Sequence, residues 1–317
     1  MISPSHGPDD HDFEADFGAV TDAAAHVDGY APLNEQATLD LRAGRRTPLL
    51  LRDGDVTVGA LVIGAGELDL VVHPDFRRRG HATTALTELF GDAGQPGAVG
   101  SGAVAQAADV AAGLTAWAHG DHPAARALAE RFGFDAVRRL LQLERVLEAS
   151  AAPASRGAQG AAAEAGAEAG ADAIVITAFD SDLDADAWVA LNARIFAAHP
   201  EQGGITAADL AARAAEDWFV AGDFLVARNA GTLIGYNWLK IEGAAEGEIY
   251  VVGVSPEWSG RGLGRRLITA GLERLRQRGV TRATLYVEAD NTPAVRLYRS
   301  LGFTDRTVDV QYRRRIR

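Results

Sequence analysis

Residues 249–264 read IYVVGVSPEWSGRGLG, and residues 68–82 read LDLVVHPDFRRRGHA. Each starts as a run of β-branched and other apolar residues typical of a buried strand, and each ends in a turn rich in glycine or arginine that opens a helix. Gly260, Gly262 and Gly264 let the backbone aim its amides at an anion from close range. The helix opening at Leu263 adds unpaired N–H groups and the positive end of its dipole. Arg261, Arg265 and Arg266 bring full positive charge to the same place. Such a turn suits a pyrophosphate. The spacing matches neither G-x-x-x-x-G-K-[ST] nor G-x-G-x-x-G, which excludes a nucleoside triphosphatase loop and the dinucleotide fingerprint. A solvated basic turn is the plain alternative. Its recurrence as Arg77, Arg78, Arg79, Gly80, His81 and Ala82 favours the anion site.

That recurrence extends outward. Pro74, Arg79 and Gly80 match Pro256, Arg261 and Gly262 at one constant offset. Farther along, AWAHGDHPAARALAERFGF (116–134) matches LYVEADNTPAVRLYRSLGF (285–303) at a shorter offset, so Gly133 and Phe134 match Gly302 and Phe303. Motifs recurring in one order with altered loop lengths are the mark of a duplicated domain. Residues 149–171, ASAAPASRGAQGAAAEAGAEAGA, hold no large apolar side chain and read as a flexible linker. The expected organisation is a domain at 12–148, a linker at 149–172 and a second domain at 173–317, with an extended loop at 91–108 inside the first. In the second half, strands are expected at 173–178, 224–228, 233–241, 248–254, 283–287 and 304–313. Helices are expected at 184–197, 263–278 and 293–301. Early hairpins followed by strand–helix–strand units predict an α/β fold in which each copy is a mixed, mostly antiparallel sheet flanked by helices.

Composition narrows the chemistry. A formal net charge of -12 opposes a nucleic-acid partner, which makes a local basic turn the more informative. With no cysteine, disulfides, cysteine-bound metals and thiol nucleophiles are excluded. The eight histidines are scattered, without H-x-x-x-H spacing beside a carboxylate, so no metal is expected. No apolar run reaches the ~18 residues of a membrane helix, and the polar start has no secretory pattern. A cytoplasmic protein acting on a small molecule, without nucleic acid or membrane and as a monomer, is the expectation.

At these residues a family becomes recognisable. An R/Q-x-x-G-x-G/A loop after a V-x-P turn, followed by N-x-x-A-x-x-x-Y-x-x-x-G-F from Asn291 to Phe303, resembles the GNAT-type N-acetyltransferases, and the resemblance covers both halves. It implies acetyl-CoA as co-substrate, bound through Leu70, Val71 and Val72 and through Arg77, Arg78, Arg79 and Gly80 in the first copy. In the second copy it implies Val252, Gly253, Val254, Ser259, Gly260, Arg261, Gly262, Leu263, Gly264 and Arg265, then Asn291, Thr292, Pro293, Ala294, Val295 and Arg296. Ser259 stands where the family has Gln or Arg, whereas Arg77 conforms. The strand before the loop is expected to splay from its neighbour and free backbone amides for the pantetheine arm and the thioester carbonyl. Tyr298 falls on the family's general-acid position, and its counterpart in the first copy is Ala129, which has no proton to give. Glu248, at the start of the strand leading to the loop, is the candidate base; the first copy has Gly66 there, with Glu67 pointing to the opposite face. The second copy is therefore expected to catalyse. The first is expected to bind acetyl-CoA structurally or not at all.

Five further segments are similar to tandem GNAT enzymes that acetylate the cysteinyl amine of cysteinyl-glucosaminyl-inositol. They are DGYAPLNEQ (28–36), AWAHGDHPAARALA (116–129), FAAHPEQGG (196–204), GYNWLK (235–240) and GEIYVVGV (247–254). That resemblance implies substrate contacts at Glu35, Glu201, Lys240, Glu248 and Tyr286. Carboxylates and hydrogen-bonding groups suit a polyol that carries an ammonium. Two alternatives stay open: a GNAT enzyme for another amine, such as an aminoglycoside or a peptide N-terminus, and a non-catalytic acyl-CoA-binding module.

Overall fold

The computed structural model describes residues 2–4, 11–91, 113–148, 173–197 and 202–315. The expected linker at 149–172 and the 91–108 loop beyond Gly91 lie outside them. The described residues form two compact units, one within Met1–Leu141, Glu288–Asp290 and Thr307–Arg317, the other within Gln142–Val287 and Asn291–Arg306. The units therefore do not follow the expected boundaries to the end of the chain, since from Thr307 onward its last strand belongs with the first unit.

In the first unit, helices α1 (His11–Asp28) and α2 (Glu35–Arg42) precede strands β2 (Thr47–Asp53), β3 (Val56–Gly64) and β4 (Glu67–Val72). Helix α3 (His81–Phe90), β5 (Thr115–Ala118), α4 (Pro123–Arg131) and β6 (Phe134–Val146) follow, and the short β1 (Ile2–Pro4) pairs on β2. The strand order is β1-β2-β3-β4-β5-β12-β6, where β12 (Thr304–Arg314) is the chain's final strand. Only β4 and β5 run parallel among the pairs with a described register, and β12 joins antiparallel from Val310↔Ala118 to Arg313↔Thr115. Alternation decides the two faces. Leu50, Ala60 and Val71 pack on α1 through Phe13, Val20 and Ala24, while Leu49, Leu51 and Leu61 pack with Leu86, Leu89 and Phe90 of α3.

The second unit repeats the plan with β7 (Ile174–Ala178), α5 (Ser181–Ile195), α6 (Ala207–Ala214), β8 (Phe224–Asn229) and β9 (Thr232–Lys240). Then come β10 (Glu246–Val254), α7 (Leu263–Gln277), β11 (Arg282–Glu288) and α8 (Thr292–Ser300). Strands β11-β10-β9-β8-β7 lie in that order, with β10–β11 parallel and the other pairs antiparallel. Helix α5 begins at Ser181 rather than 184 because the Asp180 carboxylate caps it, accepting from the Asp182 and Leu183 amides. One face of this sheet carries an aromatic core: Trp188 of α5 meets Phe224, Tyr236 and Trp238, and Phe224 stacks on Trp238 with centroids 4.5 Å apart. The other face receives α7 through Leu263 and Leu267.

Helix α7 approaches β9 closely enough that the buried Asn237 side-chain amide donates to the Leu267 carbonyl at 3.0 Å. Gly271 makes that approach possible, since a Cβ there would fall on the Asn237 amide and 3.2 Å from Leu239. Gly271→Ala should lower stability by about 1–3 kcal/mol, the usual cost of overpacking. A drop in the thermal unfolding midpoint checks it, and an unchanged midpoint would refute the packing constraint.

Candidate active site

The site is built on β10. Its register with β9 shifts between Ile249 and Val251, so Tyr250 is the extra residue of a β-bulge. The consequence is a change of face. Tyr250 and Val251 both pack into the aromatic cluster, whereas Val252 and Val254 turn toward Leu263 and Leu267 of α7. On its other edge, the parallel ladder with β11 stops at Ile249↔Leu285, while pairing with β9 continues to Val254↔Gly235. Residues 251–254 thus have no strand paired on their β11 side among the described residues. Gly253 keeps this strand close to Tyr236, since an added Cβ would lie 2.8 Å from the tyrosine ring. The Tyr236 hydroxyl donates to Asn192 Oδ1 at 2.6 Å, and burial pushes its pKa upward.

Beyond Val254 a single 3-10 turn (Pro256–Trp258) leads to Ser259, Gly260, Arg261 and the α7 N-terminus. Gly260 and Gly262 have φ of 75° and 81°, left-handed values of the kind found in turns that gather N–H groups on one side. Arg261 lies over the Trp258 ring at 5.3 Å. Arg265 donates to Ser300 Oγ of α8 at 2.7 Å, and Arg266 to the Ile174 carbonyl at 3.1 Å. Asn291 caps α8 by accepting from the Ala294 amide, with Thr292, Pro293, Val295 and Arg296 in the first two turns. A Cβ on Gly264 would meet Leu297 of α8 at 3.4 Å, so the two helices that follow the loop and the N-x-x-A motif lie against each other.

The first unit keeps the turn and loses the bulge. Arg78 and Gly80 stand at φ 66° and 92°, matching Gly260 and Gly262, and Arg79 lies over Phe76 at 5.3 Å as Arg261 does over Trp258. The β3–β4 register, however, runs from Gly64↔Glu67 to Gly59↔Val72 with no shift, so Leu70, Val71 and Val72 alternate regularly. Arg77 is already engaged: its guanidinium grips Asp28 at 2.6 and 2.8 Å and its Nε donates to the Val72 carbonyl at 3.0 Å. Asp69, where the second unit has Val251, is a buried carboxylate paired with Arg46 at 2.5 Å, and Arg46 also holds Glu67 at 3.2 Å. Burial raises the Asp69 pKa despite that partner.

Three of the residues expected to contact substrate share one face of the second sheet. Lys240 on β9 lies directly across from Glu248 on β10, and Glu248 pairs in parallel with Thr284 on β11, two residues before Tyr286. Tyr286 is exposed, and its hydroxyl accepts from Gln142 Nε2 at 3.0 Å. Tyr298 lies in α8, buried, with its ring edge-on to Phe303 at 5.9 Å. Desolvation pushes its phenol up to about 12, so it keeps its proton at neutral pH. Glu201 lies outside the described residues; Glu35 opens α2, and its side chain lies outside them too. Among the described residues no group of His, Cys, Asp or Glu is arranged to hold a metal ion.

Sequence reading missed four residues around this face: Gln142, Arg213, Trp218 and Tyr250. Arg213 of α6 donates to the Tyr250 hydroxyl at 3.2 Å. The Lys240 ammonium lies 5.1 Å from the Trp218 ring centroid and 5.8 Å from that of Tyr250. Three tryptophans and two tyrosines within forty residues of a lone apolar-flanked lysine were the only available signal.

Residues 188–303 match the family model for the acetyltransferase (GNAT) family. A curated relative from Clavibacter sepedonicus, named mycothiol acetyltransferase, is 46% identical over 304 residues, covering 93% of this chain and 90% of its own. Among solved structures, a GCN5-related N-acetyltransferase from Sphaerobacter thermophilus superposes with a TM-score of 0.66 at 20% identity, covering 100% of this chain and 96% of its own. A tandem GNAT protein from the clavulanic acid biosynthesis pathway superposes with a TM-score of 0.64 at 20% identity, covering 99% and 97%. Both carry the fold argument: two tandem GNAT-type domains.

Proposed function

This chain belongs to the mycothiol acetyltransferases of the GNAT family, and from that premise we propose that it transfers the acetyl group of acetyl-CoA to the cysteinyl amine of 1D-myo-inositol 2-(L-cysteinylamino)-2-deoxy-α-D-glucopyranoside, giving mycothiol and CoA. The observation that carries the reading is an asymmetry between the copies. Only the second unit combines a bulged strand with a buried, protonated tyrosine on α8; the first has a regular β4 and Ala129 at that place.

The proposed chemistry follows from that arrangement. The turn at 259–264 and the α7 N-terminus hold the pyrophosphate, where dipole and charge act together. Peptide groups at 252–254 hydrogen-bond the pantetheine arm and polarise the thioester carbonyl, which gains negative charge as the amine adds. A free α-amino group titrates near ~7.7–8.0, so Glu248, directly or through one water, needs to remove only a modestly held proton. Tyr298 then protonates the departing sulfur. Lys240 and Tyr286 offer donors to the sugar and inositol hydroxyls. A polycationic aminoglycoside is the weaker reading, because the Lys240 ammonium on that face opposes further positive charge. The first unit serves as a non-catalytic partner in this reading, and the enzyme works as a cytoplasmic monomer.

Tyr298→Phe keeps the ring against Phe303 and removes only the proton. It should lower kcat by about 10²-fold or more, with KM for both substrates and the unfolding midpoint nearly unchanged, as read from CoA release and product mass. An undiminished kcat would remove Tyr298 from the mechanism. The pH profile gives a second check. A phenol with pKa about 12 stays neutral, and therefore competent as an acid, through the whole working range. The kcat profile should show no basic limb from Tyr298 below pH ~10; a limb near pH 8–9 that vanishes in Tyr298→Phe would contradict the raised pKa of the buried phenol.

A further inference from the structure

Of the 31 lysines and arginines in this chain, Lys240 is the single lysine. Its position is as distinctive as its identity. It ends β9 with its side chain only 11% exposed, and its ammonium faces two aromatic rings, 5.1 Å from the Trp218 centroid and 5.8 Å from the Tyr250 centroid. The rings meet edge-on with centroids 5.3 Å apart, so together they wall the ammonium on two sides. Trp218 is 9% exposed and is backed by Trp238 at 5.7 Å; Tyr250 is the bulge residue of β10, its hydroxyl held by Arg213. At the rim, exposed Glu242 approaches the ammonium at 3.4 Å.

These observations have one chemical reading. An ammonium is a compact point charge that both ring faces attract at once, and its flexible four-carbon stem lets it settle in the corner the rings form. The ring faces attract the ammonium electrostatically, so they fix its position on the sheet without acting as hydrogen-bond acceptors themselves. They also remove the rotameric freedom that a four-carbon side chain would otherwise lose on binding. Lys240 lies directly across from Glu248, so what fixes the ammonium also fixes an oxygen-rich ligand relative to that carboxylate.

We propose that Trp218 and Tyr250 form an aromatic clamp that positions Lys240 for the hydroxyl or amide oxygens of the amine substrate, making both rings specificity-determining positioning residues. The assignment of that substrate rests on the functional reading above; the clamp itself rests on geometry.

Two measurements separate them. Reductive methylation with ¹³C-formaldehyde labels one lysine, and the dimethylammonium keeps its charge. In the wild type its methyl signal should be shifted upfield by the rings, and in Trp218→Phe it should move toward the position of free dimethyl-lysine. A wild-type signal already at the free position overturns the clamp, whatever the substrate. In steady-state assays of unmethylated enzyme, Trp218→Phe should raise KM for the cysteinyl pseudo-disaccharide about five- to tenfold, with KM for acetyl-CoA within about twofold. Tyr250→Phe retains the ring face and should have the smaller effect. Lys240→Met should raise the same KM, and adding Trp218→Phe to it should change nothing more. A full additive effect in that double variant, or an equal rise in both KM values, would make Trp218 a packing residue only and overturn the proposal. Failure of the wild type to acetylate the pseudo-disaccharide, with the methyl signal still ring-shifted, would instead sink the functional reading and leave the clamp standing.

Discussion

A strand that parts from its neighbour leaves peptide groups that must be satisfied by something else. That constraint governs the second unit. Strand β10 is paired on both sides as far as Ile249 and on one side only from there to Val254, and the Tyr250 bulge is what bends it away. Such a bend persists only where the surrounding packing holds it. Here partly buried Tyr250 and buried Val251 pack with Trp218 and Trp238 on one face, while Val252 and Val254 lie against α7 on the other. Packing on both faces thus holds this edge in place, as the proposed role of its peptide groups requires of preorganised hydrogen-bond donors.

Duplication makes the role of each part visible. Both copies keep the left-handed turn at the helix start and the arginine stacked over an aromatic ring, so the loop's shape does not distinguish them. What differs is the bulge, the tyrosine and the state of the nearby polar groups. In the first copy Arg77 is tied to Asp28 and the Val72 carbonyl, and a buried Arg46–Asp69 pair occupies the middle of β4. Breaking such a pair on one side leaves an uncompensated charge, so this arrangement resists change. One scaffold has been settled into internal pairing and the other left open.

Much of this was legible in the sequence for identifiable reasons. The turn glycines, the helix after them and the alternation in β9 and β10 are local, and local chemistry reads directly. The pairing of Arg261 and Gly262 with Arg79 and Gly80 was visible because a repeat supplies its own comparison. The bulge was not visible: register is a property of two strands, and nothing within IYVVGV marks Tyr250 as the extra residue. Gln142, whose amide reaches the Tyr286 hydroxyl, lies far away in sequence. The closing strand pairs with β5 rather than remaining with the half that encodes it, a choice of partner that periodicity cannot specify. The Trp218 ring sits in a connection without helix or strand pattern, so its place beside Lys240 emerged only from the packing.

Amide hydrogen exchange with and without acetyl-CoA tests the central claim most directly, since it reads the peptide groups themselves. Saturating acetyl-CoA should slow exchange at residues 252–254 and at the turn 259–264, while the paired part of β10 at 246–249 stays as slow as before. Binding that leaves 252–254 unprotected would contradict the account.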